Sequence, residues 1–123
     1  MTVLIVEDDE NVAALEVALA GIDGLRVLIL SNGKEAANLL RGSSIEIAAV
    51  VTDLNLPDVD GFELIQIIRG QDRYSGLPIL VLSGDSRPDT PQRLRRLGAN
   101  AFFPKPYSPA DVRHTLEELL DVS

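Results

Sequence analysis

Five short apolar runs punctuate the chain, and a helical pattern of mixed polar and apolar positions follows each. The runs are Val3–Val6, Leu25–Leu30, Ile47–Val51, Ile79–Leu82 and Ala101–Phe103. Short β-rich runs alternating with helical segments predict βα units and a parallel sheet. The first, third and fourth runs are apolar without interruption, as strands covered on both faces are. The second carries Arg26, and the fifth is short and stopped by Pro104, which has no N–H for a ladder bond. Strands two and five therefore belong at the edges. An α/β fold follows, a doubly wound (βα)5 parallel sheet in the order 2-1-3-4-5.

The helices carry their own start signals. Asp60 with Glu63, and Asn32 with Glu35, read as capping pairs for helices three and two. Ser108-Pro109 supplies an N-cap and a first-turn proline for helix five. Thr90-Pro91 reads the same way for helix four, which makes it short, about residues 91–97, ended by Gly98. Asp9 and Glu10 read as the start of helix one.

This pattern places chemistry at one edge of the sheet. The run Ala48-Ala-Val-Val-Thr-Asp53 enters a loop closed by Pro57 and Gly61, and Val3–Val6 runs into Glu7-Asp8-Asp9-Glu10. In open parallel sheets, ligands bind beyond the carboxyl ends of the strands where the order reverses, here between strands one and three. Carboxylates gathered there repel one another and lose solvation unless a cation joins them or one is protonated. Oxygen ligands without cysteine or a nearby histidine suit Mg²⁺. Ser83 and Lys105 end the fourth and fifth strands at the same edge.

Composition narrows the classes. The 123 residues read as one domain, 1–123, large enough for a single core. A net charge of −8 argues against nonspecific nucleic-acid binding by this domain. The absence of cysteine excludes disulfides and thiolate metal sites and is compatible with a reducing, cytoplasmic setting. No apolar stretch approaches the roughly 18 residues of a membrane span, and no signal peptide is visible. His114, the sole histidine, falls on helix five away from the acids and reads as a surface residue.

Ile5-Val-Glu-Asp-Asp9, Thr52-Asp-Leu-Asn-Leu-Pro-Asp-Val-Asp-Gly61, Leu82-Ser-Gly84 and Phe103-Pro-Lys-Pro-Tyr107 stand in order on five βα units. With these pieces the chain resembles, over essentially its whole length, the receiver domain of two-component response regulators, a flavodoxin-like fold of bacterial signalling. The resemblance implies that Asp53 is a phosphoacceptor. Its donor would be a phosphohistidine of a sensor histidine kinase or histidine phosphotransfer protein. It implies Mg²⁺ held by Glu7, Asp8, Asp53 and the Asn55 carbonyl. It implies that Ser83 and Lys105 contact phosphoryl oxygens and that Lys105–Pro106 is cis. Ser83 and Phe102 match switch positions, and a downstream effector protein would read the surface of helix four, strand five and helix five. Asn55 and Asp85 fall where small polar or acidic groups accompany quick loss of phosphate. Glu7, Ser83 and Phe102 stand where aspartate, threonine and tyrosine are common in that family.

The same surface could join two copies, pairing Arg93, Arg95 and Arg96 with Asp111, Glu117 and Glu118. Such a domain is a regulatory phosphoacceptor rather than an enzyme. An FMN binder of the same fold would need a donor-rich loop where Glu-Asp-Asp-Glu stands. A dehalogenase-type phosphatase would need a second acid where Asn55 stands. A degenerate receiver serving as an interaction scaffold, or the receiver part of a longer DNA-binding regulator, remain as alternatives.

Overall fold

The computed structural model describes residues 1–10, 12–42 and 45–121. Five strands form one parallel sheet in the order β2-β1-β3-β4-β5: β1 Thr2–Val6, β2 Arg26–Leu30, β3 Ile47–Asp53, β4 Ile79–Ser83 and β5 Ala101–Pro104. The helices among the described residues are α1 Val12–Ala20, α2 Gly33–Arg41, α3 Gly61–Arg69, α4 Thr90–Leu97 and α5 Pro109–Leu120, with a short 3₁₀ turn at Asp72–Tyr74. The edge strands are those marked by Arg26 and Pro104, as the sequence predicts.

Two cores explain the unbroken apolar runs. Side chains alternate across a strand, so a strand covered on both faces needs apolar residues at every position. Leu4, Val6, Val50, Ile79 and Val81 point to the α2–α3–α4 side. Val3, Ile5, Ala49, Val51, Leu80 and Leu82 point to the α1–α5 side, against Leu15, Leu19, Val112 and Leu116. Burying each aliphatic side chain contributes roughly 1.5–3 kcal/mol, so the central strands hold most of the stability and leave their polar C-terminal ends free for chemistry.

Three helix starts follow the sequence signals. Asn32 Oδ1 accepts from Glu35 N at 2.8 Å, Asp60 Oδ1 from Glu63 N at 2.9 Å, and Ser108 Oγ from Asp111 N at 3.3 Å. Helix four departs from the expectation. Thr90 is its first residue rather than its cap, and Asp89 before it makes no side-chain cap bond. The cause is a turn that feeds the helix, with Thr90 N donating to Arg87 O at 3.2 Å while the Thr90 side chain is buried. Gly98 ends the helix at φ 104°, a conformation that favours glycine. Helix one also differs, because Asp9 and Glu10 precede it rather than open it.

Gly61 is required by close approach. A Cβ on Gly61 would lie 2.6 Å from the carbonyl oxygen of Asp53 and 2.7 Å from Leu54 Cα. The first residue of α3 thus packs directly on the backbone that carries Asp53.

Candidate functional site

The parallel register assembles the site. Val6 pairs with Thr52, Asp53 with Leu82, and Ser83 with Pro104. Two backbone bonds extend the ladder past the strands: Leu54 N donates to Leu82 O at 3.2 Å, and Lys105 N to Ser83 O at 2.8 Å. Glu7, Asp8, Asp53, Ser83 and Lys105 therefore emerge side by side, and the Lys105–Pro106 bond is cis.

Carboxylate oxygens of Glu7, Asp8 and Asp53 lie within 4.8 Å of one another; Glu7 and Asp53 are buried and Asp8 is exposed. One cation faces them. Lys105 Nζ lies 2.8 Å from Asp53 Oδ2, 3.0 Å from Glu7 Oε2 and 3.7 Å from Asp9 Oδ2. Asp53 Oδ1 accepts from Asn55 N at 3.1 Å, and Glu7 Oε1 from Asp9 N at 3.2 Å. Glu7 Oε2, although close to the ammonium, is buried without an aligned hydrogen bond among the described residues. One ammonium thus serves several carboxylates and leaves excess negative charge.

The titration shifts agree with that imbalance. Burial pushes the Glu7 carboxyl up; Lys105 pulls it back, and the negative charge of Asp53 pushes it up again. For Lys105, burial disfavours the charge, but its bonds to Asp53 and Glu7 outweigh burial and hold the ammonium well above its ordinary range. Burial and then the Glu7 charge push the Tyr107 phenol up.

Glu7 yields a prediction. A raised folded-state value means that the folded chain binds the proton more tightly than the unfolded one, so stability falls as pH rises through that window. Glutamine mimics the protonated form. Without metal, Glu7→Gln is expected to melt above the native protein at pH 7, the gap closing below the ordinary glutamate range. A thermal melt series without divalent ions checks the sign.

Ser83 is fully buried, and its Oγ accepts from Asp85 N at 2.9 Å. Its hydroxyl proton has no acceptor among the described residues, so it is free to donate into the site. Asp85 is tied to Arg87, which holds its carboxyl down at about 2 through its guanidinium and then its backbone N–H. Phe102 is partly buried against the α2–α3–α4 core and borders a small depression with Pro91, Leu94 and Arg95.

Sequence reasoning missed two participants. Asp9, expected only to start a helix, instead reaches toward Lys105. Arg87 carries no motif signal, and only the turn after β4 folds it back onto Asp85. Arg93, exposed on α4, lies about 200° around the helix from Arg95, and its guanidinium stacks 4.0 Å from the Phe62 ring on α3. His114 is exposed and pairs with Glu118 at 2.8 Å.

The profile of the response regulator receiver domain matches residues 3–117. A rice two-component response regulator, ORR11 of Oryza sativa, is 28% identical over 118 residues, covering 96% of this chain and 80% of that protein. The crystal structure of the receiver domain of the Pseudomonas aeruginosa sensor histidine kinase PA1611, with a magnesium ion coordinated in its active site cleft, superposes with a TM-score of 0.83. It is 25% identical, and the match covers 98% of this chain and 97% of that one. The chemotaxis response regulator CheY4 of Vibrio cholerae gives a TM-score of 0.83 at 27% identity, covering 96% and 97%. The relatives span plants and bacteria, so the match does not by itself place this chain in bacterial signalling. No helix among the described residues is long and apolar enough to cross a membrane.

Proposed function

The chain belongs to the response regulator receiver domain family, and from that premise we propose that it accepts a phosphoryl group on Asp53 from a phosphohistidine. The donor is a sensor histidine kinase or histidine phosphotransfer protein, in the cytoplasm. The observation that carries this reading is the contact of Lys105 Nζ with Asp53 Oδ2 at 2.8 Å beside two further carboxylates.

The residues fit a divalent cation. Buried Glu7 and Asp53 and exposed Asp8 offer oxygens close together, with one Glu7 oxygen lacking an aligned hydrogen bond. Glu7, Asp8, Asp53 and the Asn55 carbonyl would hold Mg²⁺, as a hard ion favours oxygen ligands. When bound, Mg²⁺ neutralises charge on the transferring phosphoryl group.

The chain's own groups do the rest. An Asp53 carboxylate oxygen forms its bond to phosphorus as the phosphorus–nitrogen bond breaks, and the electron pair returns to the donor imidazole. Lys105 moves its hydrogen bond from the carboxylate to a phosphoryl oxygen, and Ser83 donates to another. Catalysis of this kind is positioning plus electrostatic stabilisation. With Ser83 drawn to the phosphoryl group, Phe102 turns inward over the Pro91–Leu94 depression. This shifts the α4–β5–α5 surface toward the form an effector binds. Arg95 and Arg96 of that surface can also meet Asp111 and Glu118 of a second copy across a two-fold axis.

The test is a beryllofluoride titration with Mg²⁺ followed by amide NMR. Saturable shifts at Asp53, Ser83 and Phe102 are expected, with Mg²⁺ affinity at least about tenfold weaker in Asp8→Ala. A spectrum unmoved by beryllofluoride would make the domain a scaffold.

A further inference from the structure

Asp85 stands at the mouth of the site, where it lines a solvent-open depression with Asp8, Asn55 and Arg87. Its backbone N–H is tied to the Ser83 hydroxyl at 2.9 Å. Its carboxylate is held mainly by Arg87, with the Thr90 side chain as a further partner. Oδ1 accepts from the Arg87 backbone N–H at 2.9 Å and from Arg87 Nε at 3.1 Å. Oδ2 accepts from Nε at 2.9 Å and from Nη2 at 2.5 Å. A carboxylate offers about four lone-pair sites, and three N–H groups of Arg87, with Nε shared between the two oxygens, occupy most of them. The Arg87 side chain is 62% exposed, so the pair adds little to stability. Its consequence is local: a carboxylate at the mouth of the site has most of its acceptor capacity taken by Arg87 rather than water.

We propose that Arg87 is a positioning residue that prolongs the phosphorylated state, by occupying the Asp85 carboxylate that would otherwise orient the attacking water. This rests on the reading of Asp53 as phosphoacceptor, and it reverses what residue types at positions 55 and 85 suggest by themselves. Loss of the phosphoryl group is hydrolysis. The water oxygen bonds to phosphorus as the bond from phosphorus to the Asp53 oxygen breaks. The electron pair returns to the Asp53 carboxylate, and both water protons leave with inorganic phosphate before exchanging with solvent. A water held by a fixed carboxylate at the mouth is oriented for that attack, and orientation accelerates it. Asn55, exposed on the other side of the depression, retains its side-chain amide for the same water.

The experiment compares the native protein, Arg87→Ala, Arg87→Lys, Asp85→Ala and the Arg87→Ala/Asp85→Ala double variant. Each is loaded with Mg²⁺ and acetyl phosphate, freed of donor, and followed by intact mass. Arg87→Ala is expected to shorten the half-life about tenfold. Arg87→Lys should restore part of it, since an ammonium neutralises the carboxylate without covering both oxygens. In the Asp85→Ala background, Arg87→Ala should add no change, because Arg87 acts through Asp85. An Arg87→Ala half-life equal to the native one, or an equal shortening in the Asp85→Ala background, overturns the inference. A native protein that takes up no phosphoryl group overturns the phosphoacceptor reading and this inference with it. Normal uptake with the wrong lifetimes overturns this inference alone.

Discussion

Asp53→Asn is expected to abolish phosphoryl uptake. Incubated with Mg²⁺ and acetyl phosphate, the native chain gains one phosphoryl group by intact mass and the variant gains none. The amide matches the carboxylate in shape, and Asp53 is buried at the end of a central strand, so the fold is retained. What is lost is the anionic nucleophile, since an amide oxygen attacks phosphorus far more weakly than a carboxylate. Lys105 also loses the partner it holds at 2.8 Å. Mass gain in full yield by the variant would place the phosphoacceptor elsewhere.

Lys105→Ala should show the second large effect, in stability as well as function. Its side chain is 24% exposed, and it is the ammonium facing Glu7, Asp9 and Asp53. Removing one partner of such a group leaves uncompensated buried charge and costs about 1–3 kcal/mol at neutral pH. The sign with pH follows from the shifts. A raised lysine contributes stability that is fully present below its unfolded value and is lost only as pH rises through the folded one, so all of it is present at pH 7. Without the lysine, the buried Glu7 carboxyl favours its proton more strongly still. The deficit should therefore be greatest near pH 7, shrink on acidification through the raised Glu7 range, and shrink when Mg²⁺ is added. Urea unfolding at two pH values, with and without Mg²⁺, measures this. A deficit independent of both pH and Mg²⁺ would mean that Lys105 acts by packing alone.

Much of the site is legible in the chain because a parallel sheet converts order along the sequence into position along one edge. Asp53, Ser83 and Lys105 each follow an apolar run, and any residue there lands beside its neighbours once the strands pair. Glu7 and Asp8 follow the first run for the same reason. The helix starts at Asn32, Asp60 and Ser108 are legible because a cap is a bond across three residues, short enough for local sequence to dictate. Thr90 misleads because a turn from Arg87 supplies the start of helix four, and burial of the threonine outweighs its capping propensity.

The sequence by itself determined the alternation of strands and helices, the edge positions of β2 and β5, and the residue types gathered at the switch point. Those features depend on side-chain periodicity and strand order, which are written locally. Only the tertiary structure decided how charge is shared there. Lys105 divides itself among acids contributed by two other strands and a loop, Arg93 turns to the Phe62 ring, and Arg87 folds back to cover Asp85. Ion pairing depends on distances of a few ångströms between groups far apart in the chain or across an irregular turn. No residue pattern carries those distances until the backbone has closed.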